Sequence, residues 1–379
     1  MALYLNPNAD AFQEDKKTRI YIDKSLLIAE LNNIVSTKDD FICISRPRRF
    51  GKSMAGNMIS AYYSKGCDTR DIFSQMKLGQ CPDYDKYLNK FNVIKLDLNG
   101  WYQRSIQRNR VDSLIIDIHE ALVDDFKEAF PFLSFKTNNI TLDQCILNVY
   151  AKTGEKFVII IDEYDVLIRE QVPLSLFNNY LSFLNVLFKG TTIRPAIALA
   201  YITGIIPVVR DKVQSKLNEF TEYTMLRSGH LSGYFGFTKE EVTDLCTQYG
   251  MDREECARWY DGYRLTETIE VYNPLSVVSA MRNQEFGSYW SATGSFEALK
   301  DYIMMDFNGI KQDVIKMISG ESVPVNVTKF QNTLQSITNK DNAFTYLIHL
   351  GYLSYDRKEK TCKIPNEEVR LEWVNAIDD

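Results

Sequence analysis

Three consecutive residues, Gly51-Lys52-Ser53, follow an apolar run and open a helical pattern. A strand, a glycine-containing loop and a helix in this order form the common phosphate-binding arrangement of nucleotide-binding proteins. In such a loop Gly51 would let the backbone approach a phosphate, Lys52 would contact the β- and γ-phosphates, and Ser53 would ligate magnesium. The pattern predicts binding of a nucleoside triphosphate, with ATP favoured, together with Mg²⁺.

The loop departs from the phosphate-binding rule at one position, because Arg46 stands where the first glycine is expected. Arginine reduces the backbone freedom at the loop entrance, and it adds a cation near the phosphates together with Arg48 and Arg49. A chance Gly-Lys-Ser on a surface loop is the alternative, and the apolar run before the loop disfavours it. The predicted nucleotide-contacting residues of the loop are Arg46, Pro47, Arg48, Arg49, Phe50, Gly51, Lys52, Ser53 and Met54.

A second apolar run, Phe157–Ile161, ends in Asp162-Glu163-Tyr164-Asp165. Carboxylates at the carboxyl end of a buried strand are placed to serve a ligand at the edge of an α/β sheet. Asp162 would hold magnesium, usually through water, and Glu163 would act as the general base on the attacking water. The alternative is a strand that merely leaves the sheet through an acidic turn. The presence of the Gly51-Lys52-Ser53 loop upstream in the same chain disfavours that alternative.

A third run, Ala196–Ile202, ends in Thr203-Gly204, and Thr203 fits a residue that senses the γ-phosphate. A Thr-Gly pair that simply closes a strand is equally compatible with the pattern. No arginine finger can be assigned among three candidates near these runs, and a solvated surface charge is the favoured interpretation of each: Arg169, Arg194 and Arg210.

The elements that must position these residues are buried strands alternating with helices. The predicted strands are Phe41–Ser45, Val93–Leu98, Phe157–Ile161 and Ala196–Ile202; each is apolar and nearly continuous, as in strands buried on both faces of a parallel sheet. The predicted helices between them are Tyr21–Ile34, Lys52–Tyr63, Gln107–Ala129, Thr141–Lys152 and Leu174–Phe188. Alternating strands and helices predict an α/β domain with a parallel sheet.

The second half of the chain is mostly helical in pattern. Thr238 begins an N-cap sequence with acidic residues in the first turn. Further helices are predicted at Asp252–Tyr260, Pro274–Asn283, Ser295–Asn308, Lys311–Ser319 and Asn342–Gly351. A hairpin of Tyr352–Asp356 and Thr361–Ile364 then predicts a winged-helix-like ending.

The sequence contains two aromatic clusters, Trp259–Tyr263 and Tyr289-Trp290. Packing in the core is the favoured interpretation of both, and a nucleotide lid or a partner surface is the alternative. Three basic residues lie in the turn of this hairpin: Arg357, Lys358 and Lys360. A solvated turn is favoured over a nucleic-acid contact, because the negative charges of Asp356 and Glu359 reduce the net positive charge of the turn.

Composition narrows the class of protein. The net charge of −6 over 379 residues disfavours a chain built to coat DNA or an anionic membrane. Seven cysteines without a CxxC pair and three histidines show no zinc-like spacing, and free thiols in a reducing cytosol are expected. The N-terminus shows no signal-peptide pattern, and the apolar stretch Ile193–Val209 is short of a bilayer span. These features predict a soluble cytoplasmic protein.

The motifs resemble those of the bacterial AAA-ATPase-like family of P-loop ATPases, which often carry a C-terminal PD-(D/E)XK-type nuclease. The loop also resembles that of archaeal and STAND-type ATPases, which makes Arg46 a family trait. The matching pieces keep family order: Tyr21–Ser25, Arg46–Ser53, Asp162–Asp165, Thr203-Gly204, Ser215–Asn218, Phe235–Val242, Trp259–Tyr263, Tyr272–Val277, Tyr289–Gly294, Leu350–Ser354 and Pro365–Arg370.

The resemblance implies an ASCE-type ATPase core in which the strand carrying Asp162 is not adjacent to the strand before the loop. It implies a P-loop ATPase domain over 1–235, a helical lid over 236–290 and a helical, winged-helix-like region over 291–379. It also implies that Tyr21, Ile22 and Asp23 lie near the nucleotide base.

Two features depart from the family pattern. Val166-Leu167-Ile168 replaces the usual Thr-Pro-Ile, and the sequence ends at Asp379, where the nuclease would begin. The expected function is therefore an ATPase module whose binding and hydrolysis of ATP switch a nuclease or another partner. The alternative is a nucleotide-dependent protein- or DNA-binding scaffold with little turnover. A kinase is disfavoured because no acceptor site is evident, and the oligomeric state is left open.

Overall fold

The computed structural model describes residues 3–133, 140–170, 172–207, 217, 219–290, 309–330, 337 and 339–378. The described residues form two compact units. The first comprises the described parts of Met1–Ile44, Lys52–Gly204 and Lys212–Glu222, and the second those of Ser45–Gly51, Ile205–Asp211 and Tyr223–Asp379. The three-part division at 235 and 290 stays a prediction.

A five-stranded sheet forms the framework of the first unit. Its strands are β1 (Phe41–Ser45), β2 (Asn92–Asp97), β3 (Phe157–Asp162), β4 (Ile197–Gly204) and β5 (Thr221–Tyr223). Every residue of β1 and β4 is buried, as their continuous apolar sequences predict. The four predicted strands are confirmed with shifts of one or two residues, and the short β5 was not predicted.

The strand order is β2-β3-β4-β1-β5, and β2, β3 and β4 run parallel. Strand β4 therefore separates β1, which precedes the loop, from β3, which ends in Asp162. This is the arrangement that the family resemblance implied. The register pairs Asp97 with Asp162 and Ile161 with Ile202, so the carboxyl ends of the three strands lie at one edge of the sheet.

Helices connect the strands of the first unit, and α3 packs across β2, β3 and β4. The helices are α1 (Asp10–Lys16), α2 (Leu26–Asn32), α3 (Lys52–Tyr63), α4 (Arg70–Ser74), α5 (Leu98–Gln107), α6 (Leu114–Ala129), α7 (Leu142–Thr153), α8 (Val166–Arg169) and α9 (Leu174–Lys189). The bounds predicted for α3 are confirmed, and those of α7 and α9 are confirmed within one residue.

Two predicted helices of the first unit have different bounds in the structure. The helix predicted over Tyr21–Ile34 begins only at Leu26. The helix predicted over Gln107–Ala129 begins only at Leu114, as α6, and α5, which ends at Gln107, was not predicted. Helix α5 begins where the sequence analysis still placed strand, since Asp97 caps it by accepting a hydrogen bond from the amide of Gly100 at 3.0 Å.

The second unit combines helices with two small antiparallel sheets. Its helices are α10 (Lys239–Tyr249), α11 (Arg253–Tyr260), α12 (Pro274–Asn283), α13 (Ile310–Ile318), α14 (Lys340–Leu350) and α15 (Glu367–Asp378). Its strands are β6 (Phe237–Thr238), β7 (Tyr263–Arg264), β8 (Glu270–Tyr272), β9 (Val323–Pro324), β10 (Ser354–Asp356) and β11 (Thr361–Lys363). The sheets have the orders β6-β8-β7 and β10-β11-β9.

Several predictions for this unit are confirmed. Thr238 caps α10 in a capping box, with its amide donating to Glu241 at 2.8 Å. The hairpin exists as the antiparallel pair β10 and β11. The sheet of β6, β8 and β7 lies in a region predicted to be helical, and its strands of two or three residues are too short to show a periodic pattern. Helix α15 was also missed, and the helix predicted at Ser295–Asn308 lies outside the described residues.

Candidate nucleotide-binding site

The loop of residues 46–51 joins β1 to α3. Gly51 has a φ of +85°, in the left-handed region that favours glycine, and Arg49 has a φ of +68°. A Cβ atom placed on Gly51 would meet nothing within 4 Å, so the space beside this residue is open. Helix α3 begins at the next residue, and the first amide groups of a helix are donors without a partner inside the helix. The local geometry therefore suits an anion.

The side chain of Lys52 is buried, with 7% of its surface exposed. Burial lowers the pKa of its amino group to about 8, and the negative charges of Asp162, Glu163 and Asp165 oppose that shift. Arg169 adds a smaller lowering effect on the same pKa. The structure thus brings the predicted loop lysine together with the predicted acidic residues. We call the group formed by Lys52, Asp162, Glu163, Asp165, Arg169 and Thr203 the lysine–carboxylate cluster.

The ends of β3 and β4 are joined by a side-chain hydrogen bond. The hydroxyl of Thr203 donates to a carboxylate oxygen of Asp162, and the amide of Glu163 donates to the same oxygen at 3.1 Å. The carbonyl of Thr203 accepts from the amide of Tyr164 at 2.9 Å. Thr203 is fully buried, so its hydroxyl fixes the orientation of Asp162.

Glu163 occupies a left-handed backbone conformation with a φ of +51°, which turns the chain sharply out of β3. Burial raises the pKa of its carboxyl group, and the charge of Arg169 opposes that shift. The side chain remains 26% exposed, so water can reach it.

Arg169, at the end of α8, is the feature of this cluster that sequence reasoning misjudged. Its side chain is 1% exposed, and it donates to Glu163 from Nη2 at 3.1 Å and pairs from Nε with Asp165 at 3.2 Å. The interpretation of Arg169 as a solvated surface charge is wrong. The spacing of four residues between Asp165 and Arg169 on a helical turn is the signal that could have indicated their pairing.

Of the other two arginine-finger candidates, Arg194 is described by the structure and does not belong to this cluster. Arg194 precedes β4, at the opposite end of that strand from Thr203, where it pairs with Asp40 and lies 4.1 Å from the ring centroid of Phe41. Arg210 lies outside the described residues.

A half-buried lysine on β2, Lys95, also escaped prediction. The ammonium group of Lys95 donates to Asn57 of α3, and Asn57 donates to Asp15 at 2.8 Å. Burial lowers the pKa of Lys95, and the charge of Asp162 is the largest opposing influence. A lysine inside the apolar run Val93–Leu98 was the available signal, because lysine is rarely buried without a partner.

Tyr21 and Asp23 were predicted to lie near the nucleotide base. The carboxylate of Asp23 accepts hydrogen bonds from the amides of Ser25 and Lys77, both at 2.8 Å, and so links two loop segments. Tyr21 packs at the edge of the Phe12 ring, with centroids 6.4 Å apart, and burial raises the pKa of its hydroxyl. These contacts show a structural role for Asp23, and the proximity to a base stays a prediction.

Arg46 stands where the first glycine of the loop is expected. Its side chain is fully buried in the second unit, where Nη1 donates to the carbonyls of Ser45 and Tyr223, both at 2.9 Å. Its guanidinium carbon lies 5.7 Å from the ring centroid of Phe235. Arg46 thus anchors the loop from a buried position, and its predicted contact with a nucleotide stays a prediction. Arg49 is exposed, and it donates to the carbonyl of Tyr289 at 3.2 Å.

The residues that the structure describes also bear on a membrane span and on a metal site. No helix among them is long and apolar enough to cross a membrane. In the same part of the chain, no group of three or more His, Cys, Asp or Glu side chains is arranged to hold a metal ion.

The strand order and the loop between β1 and α3 define the class: an α/β P-loop NTPase fold. A family model described as "Predicted AAA-ATPase" matches residues 10–214, which is more than half of the chain. The chain belongs to this AAA-ATPase-like family.

Two known proteins are similar to the chain. An uncharacterized protein encoded in the vnfD 5′ region of Azotobacter chroococcum mcd 1 is 23% identical over 267 residues, which cover 69% of this chain and 48% of that protein. The chain therefore spans about half the length of this curated relative. The crystal structure of Cdc6p from Pyrobaculum aerophilum matches over 94% of this chain and 92% of its own, at 9% identity and a TM-score of 0.32.

Proposed function

We propose that this chain binds ATP with Mg²⁺ and hydrolyses it. The observation that carries the proposal is the buried ammonium group of Lys52 at the start of α3, close to the carboxylates of Asp162 and Glu163. A lysine is seldom buried unless its charge has a partner or a task. Next to the open space beside Gly51, the task that fits is contact with the β- and γ-phosphates.

The residues present fit a magnesium ion. Mg²⁺ takes oxygen ligands and usually keeps several waters, so it needs only one or two side chains in addition to the phosphates. Ser53 is exposed in the first turn of α3, and Asp162 is oriented by Thr203. These two residues would hold the ion, which, when bound, neutralises charge on the phosphate oxygens.

Glu163 is the proposed general base. Its partial burial raises its pKa and so strengthens it as a base, and its exposed fraction leaves room for a water molecule. Thr203 would report the γ-phosphate through its hydrogen bond to Asp162. Because Glu163 is paired with Arg169, turnover would require that pair to open.

We further propose that the ATP and ADP states differ in their action on a nuclease or another protein partner, as the family resemblance suggests. The pairing of Glu163 with Arg169 favours a second candidate function. A base held by a buried arginine is poorly placed to activate water, which suits a scaffold that binds ATP with little turnover and then contacts protein or DNA. Measured turnover decides between the two.

The test compares the wild-type chain with Lys52→Ala and Glu163→Gln. Copurified nucleotide is identified by mass spectrometry, ATP affinity is measured by titration with Mg²⁺, and phosphate release is followed at saturating ATP. We expect Lys52→Ala to lose binding. We expect Glu163→Gln to bind ATP but to hydrolyse it about 10²–10⁴-fold more slowly, the usual contribution of a general base.

Three results are informative. Failure of the wild-type chain to bind any nucleotide with Mg²⁺ would reject the proposal. Tight binding without turnover would select the scaffold. Normal hydrolysis by Glu163→Gln would remove Glu163 from the role of base while leaving the binding site intact.

A further inference from the structure

The phosphate-binding loop contacts other residues of its own unit, the second, that have no assigned chemical task. Phe50 packs edge-on against Tyr263, with ring centroids 5.2 Å apart. The carbonyl of Phe50 accepts a hydrogen bond from the amide of Gly236 at 3.2 Å. Phe50 is 1% exposed, so this contact is part of a packed core.

A second contact joins Pro47 to Gly351, at the end of α14. A Cβ atom placed on Gly351 would lie 2.9 Å from the Cβ and Cγ atoms of Pro47, which is closer than side chains approach, and 3.3 Å from the ring of Trp290. Gly351 also has a φ of +89°, which favours glycine. The close approach of Pro47 therefore requires a residue without a side chain at position 351.

These two contacts are joined to each other. The hydroxyl of Tyr263 donates to the carbonyl of Gly351 at 3.0 Å, so the residue that packs on Phe50 is bonded to the residue that packs on Pro47. Arg46 adds a third contact, because its Nη1 donates a hydrogen bond to the carbonyl of Tyr223 at 2.9 Å. We call Gly236, Tyr263 and Gly351 the loop clamp.

We propose that the loop clamp positions the phosphate-binding loop, so that nucleotide binding at the loop is thermodynamically coupled to the packing of the loop clamp. The inference rests on the proposed function, since it concerns the same ATP site. Packed interiors change between discrete arrangements and do not deform continuously. Because the side chains of Arg46, Pro47 and Phe50 are packed in this way, the loop cannot adjust its backbone to a phosphate without a change in the residues that contact it. Thermodynamic coupling is reciprocal. If the packing of the loop clamp raises the affinity for ATP, bound ATP must stabilise that packing by the same free energy.

The test uses two glycines of the second unit with matched backbone geometry. Gly320 has a φ of +94°, similar to that of Gly351, but a Cβ atom there would meet nothing within 4 Å. Gly351→Ala and Gly320→Ala therefore impose a similar backbone strain, and only Gly351→Ala presses on Pro47. The affinity of each variant for ATP with Mg²⁺ is measured by titration.

We expect Gly351→Ala to weaken ATP binding about fivefold or more, the lower end of usual coupling strengths, while Gly320→Ala stays close to wild type. Equal affinities for the two folded variants would overturn the inference and leave the proposed function standing. A wild-type chain that binds no nucleotide would reject the proposed function instead.

Hydrogen exchange on the wild-type chain gives a second measurement, which decides the question if Gly351→Ala does not fold. Saturating ATP with Mg²⁺ is expected to slow amide exchange in β7 and β8 about fivefold or more. The reason is that bound ATP must stabilise the loop clamp, if the loop clamp strengthens ATP binding. The segment of α13, which packs on β9 and α15, is the internal reference. Bound ATP with unchanged exchange in β7 and β8 would overturn the inference.

Discussion

The guanidinium of Arg169 lies 3.1 Å from the carboxylate of Glu163 while its Nε lies 3.2 Å from that of Asp165. Asp165 is fully buried, and the side chain of Arg169 is 1% exposed, so this arginine neutralises charge that water cannot reach. The two carboxylates explain why a buried guanidinium is tolerated, because their negative charges compensate its positive charge.

Replacing Arg169 with methionine is expected to destabilise the fold strongly. The change leaves Asp165 buried without its cation, and breaking a buried ion pair in this way typically costs about 3–5 kcal/mol. The free energy of unfolding from urea titration measures the effect. Arg70→Met, which removes the exposed partner of Asp85, is the control and should change stability little. Equal, small effects of both substitutions would show that Arg169 does not stabilise Asp165.

ATP affinity is expected to fall as pH rises through 8. The pKa of Lys52 is lowered to about 8 in the nucleotide-free chain, and phosphate binding favours its charged form. Above that pH the lysine must take up a proton on binding, so the dissociation constant should rise about tenfold between pH 7.5 and 9. Titration calorimetry at pH 8 in buffers of different ionisation enthalpy measures the proton uptake. Lys52→Arg, whose guanidinium stays protonated, is the control. A flat affinity profile without proton uptake would contradict the expectation.

Substitutions of Thr203 test its hydrogen bond to Asp162. Thr203→Val keeps the shape but removes the donor, and a hydrogen bond to a charged group contributes about 1.5–3 kcal/mol. We expect Thr203→Val to bind ATP but to hydrolyse it about 10- to 100-fold more slowly, with a higher Mg²⁺ requirement, because Asp162 loses its orientation. Thr203→Ser retains the donor and should stay close to wild type. Equal turnover by the valine and serine variants would show that the hydroxyl is dispensable.

The framework of the site could be predicted from sequence because its signals are local. The runs in β1, β3 and β4 are continuously apolar, and their carboxyl ends carry Asp162 and Thr203. A buried strand and the polar residue that follows it can be predicted from consecutive residues of the sequence. The order of the strands is not local, and it was available only through the resemblance to a family.

The parts that were missed depend on contacts between distant residues. Arg46 stands in a loop with two other arginines, and nothing in that loop indicates that its guanidinium is buried against Phe235. Gly351 lies next to Pro47 only after folding, so its left-handed backbone and its close approach leave no trace in the sequence around it. Helix α5 was missed because Gly100, in its first turn, weakens the helical pattern.

His349 is expected to make the fold sensitive to acid. It is buried in α14, and burial, with the positive charge of Arg46 as a second cause, lowers its pKa to about 3. Its Nδ1 has no hydrogen-bond partner among the described residues. Because the unfolded chain takes up this proton near pH 6.5 and the folded chain does not, stability falls as pH drops from 6.5 toward 3.

The size of this effect follows from linkage, which gives about 1.4 kcal/mol for each pH unit in that window. Relative to His349→Phe, which cannot be protonated, the wild-type chain should lose about 2 kcal/mol of unfolding free energy between pH 7 and pH 5. Urea titrations at both pH values measure the difference in unfolding free energy between the wild-type chain and His349→Phe. The contributions of the carboxylates cancel in this difference because both chains contain them. His230→Phe, at an exposed position, controls for the loss of a histidine. A constant difference between wild type and His349→Phe from pH 7 to pH 5 would mean that His349 titrates alike in the folded and unfolded chains.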